Sequence, residues 1–161
     1  MKGLVSMSKT WCSITIFVDF DNKTPAGELE LRLLDEAATN PEDDSIFRSA
    51  PQRLCFAEIE QIGSSVSIHG NVRDTLKEES VLNCLDALDK ELAKCIIIEY
   101  HDSIALEYGK YRYENQILTE RKLPDGKYPT IPDFDCQSYF DIIEDALKQY
   151  GEERLAFDKA A

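Results

Sequence analysis

The sequence lacks most of the signatures by which enzymes are recognised. Its 161 residues include two histidines, one tryptophan and five scattered cysteines, without a Cys-x-x-Cys pair. No Cys or His cluster has the spacing of zinc ligands, so we expect no bound metal and no cofactor. A Gly-rich phosphate loop, a Gly-x-Ser-x-Gly elbow and a His-Glu-x-x-His helix are also missing. A binding protein is therefore favoured over an enzyme.

Long apolar runs are missing as well. No stretch approaches the ~20 apolar residues that a membrane-spanning helix needs, and residues 1–7 lack the apolar core of a secretory signal. We therefore expect a cytoplasmic protein that does not contact a membrane. In that compartment an odd number of cysteines indicates reduced thiols, most of them buried and inert.

Basic residues are scarce relative to acidic ones. The chain has 18 Lys and Arg against 31 Asp and Glu, a formal net charge of −13. Negative charge repels phosphate backbones, so nucleic acid is not expected as a partner. The same charge would attract a basic protein, although acidity also simply keeps a protein soluble.

The apolar pattern indicates one domain, 1–161, with disordered tails at 1–10 and 152–161. Residues 13–21 alternate between apolar and polar side chains, which predicts a half-buried strand. A hairpin is predicted over 53–74, with its turn at 63–65. Two or three more strands are predicted within 95–120, and links as short as 101–103 and 109–110 require antiparallel neighbours.

Two helices are predicted from capping signals. Thr75 and Glu78 have the spacing of a capping box, and apolar residues follow at helical intervals. Ser138 with Asp141 predicts the start of a second helix that stops at Gly151.

Residues 26–38 can be interpreted in two ways. Leu29, Leu31 and Leu33 alternate with charged residues, which favours a strand paired with the first one through residues 21–27. Alternatively, Thr24 as cap and Pro25 in the first turn would begin a helix. The order strand, helix, hairpin, helix, hairpin would then be close to a ferredoxin-like fold.

The sum is an α+β fold, with a mostly antiparallel sheet of five to seven strands built from hairpins and two amphipathic helices packed on one face. A ferredoxin-like variant is the alternative. Either version leaves one sheet face partly open. That face must be covered by the loop at 35–52, by a second copy or by a partner.

The stretch FVDFDN, residues 17–22, is the segment that most resembles part of an active site, because two aspartates follow an apolar run. Two aspartates at the end of a buried strand can hold Mg²⁺. The stretch resembles the first motif of haloacid-dehalogenase-type phosphatases and the opening strand of NYN-type nucleases. The resemblance implies a nucleophile or metal ligand at Asp19 with Asp21 beside it, and Asp102 as a further ligand. Lys23 departs from the phosphatase pattern, and both folds need parallel strands.

The leading hypothesis is an acidic inhibitor that occludes a basic protein, by analogy with bacterial immunity proteins and phage anti-defence inhibitors. The tyrosines at 111 and 113 are candidate interface anchors, or else a cross-strand aromatic contact that stabilises the sheet. The alternatives are a Mg²⁺-dependent phosphohydrolase or nuclease and a self-assembling structural protein, with a homo-oligomer as its product. The predicted partner-binding residues are Glu28, Glu30, Glu42, Asp43, Asp44, Tyr111, Tyr113, Asp141, Glu144 and Asp145.

Overall fold

The computed structural model describes residues 11–102, 105–129 and 136–156. The predicted N-terminal tail and residues 157–161 lie outside these ranges. None of the described helices combines the length and the apolar character that crossing a bilayer requires. The described strands are β1 (Trp11–Asp19), β2 (Cys55–Ile62), β3 (Ser65–Arg73), β4 (Cys95–Asp102), β5 (Glu107–Glu114), β6 (Ile117–Lys122) and β7 (Glu152–Leu155), and the helices are α1 (Lys23–Ala38), α2 (Glu78–Ala87) and α3 (Cys136–Tyr150).

All seven strands form one sheet in the order β2-β3-β1-β4-β5-β6-β7. Every neighbouring pair is antiparallel. The predicted α+β class and antiparallel sheet are therefore confirmed, with the strand number at the upper end of the predicted range.

The first four strands and two helices follow the ferredoxin-like order. The chain runs β1-α1-β2-β3-α2-β4, and the spatial order β2-β3-β1-β4 is that of a split β-α-β unit. β5, β6 and β7 extend the sheet beyond β4 as a meander. The alternative fold from the sequence is thus the one that the described residues adopt.

β1 lies inside the sheet because its sequence alternates. Ile14, Ile16 and Val18 are almost completely buried, while the residues between them are less buried and point to the opposite face. The register with β3 places Ile16 opposite Ile68, and the register with β4 places it opposite Ile98. One face of the three strands is therefore continuously apolar.

The predicted strand at 26–38 is wrong, because these residues form α1. Asn22, not Thr24, is the N-cap, and its side-chain oxygen accepts a hydrogen bond from Thr24 N at 3.1 Å. Leu29 and Leu33 lie one helical turn apart and are fully buried, while Leu31 is 63% exposed. The predicted hairpin through 21–27 is consequently also wrong.

The predicted capping box of α2 is wrong as well. Lys77 is the N-cap and makes no side-chain capping bond. Gln52 supplies the cap from a distant loop, since its Oε1 accepts hydrogen bonds from Lys77 N at 2.8 Å and Ser80 Oγ at 2.9 Å. Thr75 instead donates to Asp102 Oδ2 at 3.3 Å.

Two further boundaries differ from the sequence prediction. The link at 109–110 lies inside β5, and the turn falls at Asn115 and Gln116, which both have positive φ. Positive φ at two central residues is the pattern of a tight type I′ hairpin turn, whose twist matches the flanking strands. β7 lies within the segment predicted as a C-terminal tail.

The buried side chains of the described residues form two clusters, on opposite faces of the sheet. Residues of α1 and α2 pack in one cluster with β1, β3 and β4. Ile143, Ala146 and Leu147 of α3 pack with Tyr108 in the other. Tyr108 and Tyr111 of β5 belong to different clusters because they lie three residues apart on one strand, and so on opposite faces.

Substitutions in α1 distinguish the helix from the strand directly. We expect Leu29→Ala to lower the free energy of unfolding by about 2–5 kcal/mol, because it leaves a cavity in the core. Leu31→Ala should change it by less than about 0.5 kcal/mol, because an exposed helical leucine buries little area. Chemical denaturation measures both values, and equal losses would contradict the helix.

Candidate functional site

The acidic pair at the end of β1 belongs to a strand-to-helix junction. Asp19 ends the strand, and its Oδ1 accepts a hydrogen bond from Ser65 Oγ at 2.6 Å. Phe20 is buried in the core, Asp21 is exposed, and Asn22 caps α1. The positions of Asp19 and Asp21 are therefore explained by the turn that leads from β1 into α1.

Asp102 lies at the other end of the sheet. Asp19 is opposite Cys95 in the register of β1 with β4, and Asp102 is seven residues further along β4. At ~3.4 Å per residue this is a separation of about 24 Å. Asp102 is buried and accepts hydrogen bonds from Thr75 Oγ1 and Ala105 N. The three aspartates do not form one site, and the described residues contain no group of three or more His, Cys, Asp or Glu that could hold a metal.

The four thiols that the structure describes are poor candidates for a nucleophile. Cys12, Cys55, Cys84 and Cys95 are all buried and free, as the composition predicts. Burial raises the pKa of Cys84 to about 12. Burial, helped by the charge of Asp102, raises the pKa of Cys12 to about 11. Neither thiol forms an appreciable thiolate near neutral pH.

The predicted partner-binding acids are spread over α1, the loop after it and α3. Glu30 accepts a hydrogen bond from Gln61 N, Asp43 pairs with Arg53, and Glu144 pairs with Lys110. The remaining members are exposed: Glu28, Glu42, Asp44, Asp141 and Asp145.

The two predicted tyrosine anchors face the core of α1 and α2. Tyr111 is only 4% exposed, and Tyr113 is partly buried against the same cluster. The rings of Tyr100 and Tyr111 lie 5.7 Å apart across β4 and β5. Tyr111 is therefore a cross-strand aromatic contact rather than an exposed anchor.

The face of the sheet opposite α1 and α2 carries an exposed apolar group instead. We call the part of it on β2, β3 and β1 the open face. The register places Phe17 between Ser67 and Ile97, and Phe17 is 40% exposed. Among the described residues, the main contacts of α3 with the sheet are with β5, on the far side of β4. Three further large apolar side chains of the open face are exposed: Trp11, Phe56 and Ile62.

Carboxylates border this face at its outer strand. Glu58 lies opposite His69 and Glu60 opposite Ser67, so both project to the same side as Phe17. Both are exposed and form no ion pair with a described residue. On β5, Arg112 pairs with Glu114 at 3.1 Å. On the open face itself, Arg73 lies opposite Trp11, with its guanidinium 5.3 Å from the centre of the Trp11 ring.

The outer edge of β2 is largely used by the chain itself. Ala57 N donates to Asp44 O at 3.3 Å, and Gln61 N donates to Glu30 Oε2 at 2.8 Å. These bonds occupy outward N–H groups through which another strand would pair. At this side of the sheet, the face is therefore more available to a partner than the β2 edge.

A polar cluster lies where α3 approaches the sheet. Lys110 Nζ lies 3.7 Å from Glu99 Oε2 and 3.4 Å from Glu144 Oε2, and Tyr108 OH donates to Glu144 Oε1 at 2.6 Å. Burial raises the pKa of Glu99. Burial would also raise the pKa of Glu144, but the Tyr108 hydrogen bond and the Lys110 charge together lower it. The Tyr108 hydrogen bond and the Lys110 charge thus favour the charged form of Glu144, and the neighbouring Glu99 is harder to ionise.

His101 adjoins this cluster. Its ring stacks on Tyr128 at 5.7 Å with an interplanar angle of 10°, hydrogen bonds to Tyr128 OH, and meets Tyr108 edge-on at 6.0 Å. Sequence reasoning missed Glu99, His101 and Lys110 as neighbours. The alternation of β4 does put Glu99 and His101 on one face, but the partners come from β5 and α3.

No protein-family model, no curated protein and no solved structure matches the chain.

Burial of His101 gives a pH dependence that can be measured. Burial lowers its pKa below 6.5, although the charge of Asp102 opposes this. As the pH falls through about 6.5, His101 binds a proton in the unfolded chain but not in the folded chain. The stability that the buried, neutral His101 contributes is therefore present above that pH and is lost as the pH falls. We expect the free energy of unfolding to decrease from about pH 7.5 to about pH 5.5.

The substitution His101→Gln should flatten this decrease. His69, the other histidine, is exposed and hydrogen bonds to Thr15 Oγ1 at 3.0 Å, so His69→Gln is the matched control and should keep it. Urea denaturation at several pH values measures the slope. Identical slopes for His101→Gln and the original protein would contradict this account.

Proposed function

We propose that the protein binds a basic protein partner through the open face and blocks that partner's working surface. The observation that supports this most directly is the group of exposed apolar side chains on one sheet face, beside carboxylates, in a chain with a net charge of −13. The exposed aromatic side chains occupy two places on this face, Phe17 and the pair of Trp11 and Phe56, with Ser13 and Thr15 between them along β1. Exposed aromatic side chains are favoured anchors of protein interfaces.

The apolar part of the open face has the composition of an interface centre. Aromatic side chains bury large areas at small entropic cost and dominate measured interface energies. Phe17 occupies the central strand, with Phe56 and Trp11 towards one end; the rings of the latter two lie 5.9 Å apart. A partner would cover these rings and expel water from them.

The charged part of the open face favours a basic partner. Glu58 and Glu60 have no described cation to compensate them, and the surrounding protein is strongly acidic. Charge of this kind accelerates association with a positive surface and rejects negative ones. Occlusion would be steric at the aromatic side chains and electrostatic at the carboxylates of β2, so the association rate should fall as salt increases.

Paired substitutions test this surface. Phe17→Ala and Glu58→Lys change the open face. Leu82→Ala and Glu79→Lys are the controls, since they also remove an exposed apolar side chain and reverse a charge, but on the exposed side of α2. We expect a basic protein from the native host to bind the original chain and the α2 controls. With the purified partner, Phe17→Ala should weaken binding by about tenfold or more, as an interface hot spot does.

Calorimetry and stopped-flow association at several salt concentrations provide these values, and circular dichroism confirms that each variant is folded. The proposal fails if the open-face variants bind as well as the α2 controls. It also fails if the recovered partner is acidic or the association rate does not depend on salt.

A further inference from the structure

β7 is held to the sheet by few buried atoms. Its four residues, Glu152–Leu155, are all exposed, whereas every other described strand contains buried side chains. β7 pairs with β6 alone, because it is the last strand at this edge. Directly after it, Ala156 is buried and its N–H donates to Leu118 O at 2.9 Å. β7 itself therefore buries little apolar surface, as is typical of segments that open locally.

Arg154 is the side chain that joins β7 to the helical side of the sheet. Its Nε donates to Glu120 Oε1 at 2.9 Å, and a terminal guanidinium nitrogen lies 2.7 Å from the same oxygen and 2.5 Å from Glu78 Oε1. The other ion pair of β7, between Glu153 and Arg121, is longer, at 3.6 Å. Among the described residues, Glu120 and Glu78 form no ion pair with another cation. Two carboxylates thus face a single cation at this point.

Glu120 is held in position by a contact that does not involve β7. It is 4% exposed, and its Oε2 accepts a hydrogen bond from Tyr100 OH at 2.6 Å. This approach depends on a glycine, because Gly109 lies opposite Tyr100 and a Cβ there would be 2.5 Å from the Tyr100 OH. Tyr100 therefore fixes one carboxylate oxygen and leaves the other for a guanidinium. A site that is preorganised in this way costs less entropy to fill.

We propose that the β6 edge is a strand-addition site, which the chain covers with its own β7 and which accepts an extended segment of another protein with an arginine opposite Glu120. The added strand would pair with the main chain of β6, as β7 does. Removing β7 leaves Glu120 and Glu78 without their cation, so the site selects positive charge. Arginine is favoured over lysine, because its planar fork can bond to both carboxylates at once, as Arg154 does.

This edge is separate from the open face. β6 and β7 lie at the opposite end of the strand order from β2. Glu120 and Arg154 share a face with Tyr111, which packs in the cluster of α1 and α2. The proposal therefore goes beyond the proposed function, and loss of one surface leaves the other intact.

Hydrogen exchange of the full chain measures whether β7 opens by itself. We expect the Ala156 N–H to be protected at least about tenfold less than the amides of β1, which exchange when the whole core opens. Arg154→Gln should lower the protection of Ala156 by a further factor of about ten or more, because it removes hydrogen bonds to a buried carboxylate. Arg112→Gln is the matched control, since its ion pair with Glu114 joins two exposed side chains and its loss should leave Ala156 unchanged.

A peptide that copies β7 tests the acceptor edge. The probe is fluorescein-labelled Gly-Glu-Glu-Arg-Leu-Ala-Phe, the sequence of residues 151–157, and its analogue has glutamine in place of arginine. In the original chain the probe competes with an attached β7 at high effective concentration. In Arg154→Gln the competing strand lacks its guanidinium. We therefore expect the arginine peptide to bind this variant about tenfold or more tightly than the original chain, and about tenfold or more tightly than the glutamine peptide binds the same variant.

Fluorescence anisotropy, with the chain titrated to millimolar concentrations, measures these affinities, and circular dichroism confirms that each variant is folded. Adding Glu120→Gln to Arg154→Gln should abolish the preference for the arginine peptide. If Arg154→Gln fails to fold, Arg154→Lys takes its place, since it keeps the charge without the fork and should give the same order of affinities.

Protection of Ala156 equal to that of β1 would overturn the displaceable strand. Equal binding of the two peptides by Arg154→Gln, or binding of neither, would overturn the arginine site. Dimers of the original chain that the arginine peptide dissociates would also overturn the proposal, because a second copy would then be the occupant in place of another protein.

Discussion

The pairing of β1 with β3 on one side and β4 on the other determines the rest of the molecule. Ile16 lies between Ile68 and Ile98, and the apolar face that they form is covered by α1 and α2. Because side chains alternate with a period of two, the same register fixes the other face. Phe17 must then point away from the helices. An exposed phenylalanine in the middle of the sheet is thus a consequence of how the core is built.

The local pattern was sufficient for β1, the β2–β3 hairpin and the antiparallel sheet, because each depends on alternation and on short links. It was insufficient for α1. Leu29, Leu31 and Leu33 alternate as in a strand, but Ala26, Leu29, Leu33 and Ala37 also have helical spacing, and these four are the buried ones. Packing against β2 and β3 selected between the two patterns. The cap of α2 was unpredictable for a similar reason, since Gln52 is 25 residues away from Lys77.

The candidate site could be predicted only in part. An open sheet face and an acidic surface follow from the order of elements and the composition. The members of the face do not, because Glu58, His69, Thr15 and Glu99 form one row from four strands whose order sequence alone left open. Phe56 was beyond prediction because a bulge and a positive φ decide where its ring points. Asp19 and Asp21 were conspicuous in the sequence. In the structure, Asp19 accepts a hydrogen bond from Ser65, and Asp21 directly precedes Asn22, the N-cap of α1.

The same face bears on the choice between a second copy and a different protein. In a twofold dimer through the open face, each copy would present its own Glu58 and Glu60 to the same patch of its partner. Like charges brought together and desolvated cost free energy, and a net charge of −13 on each chain adds long-range repulsion. Bonds from Ala57 and Gln61 to the protein's own loop and helix also obstruct pairing at the β2 edge. A basic partner would turn the repulsive charges into attractive ones and still bury the aromatic rings, so it satisfies both features of the surface.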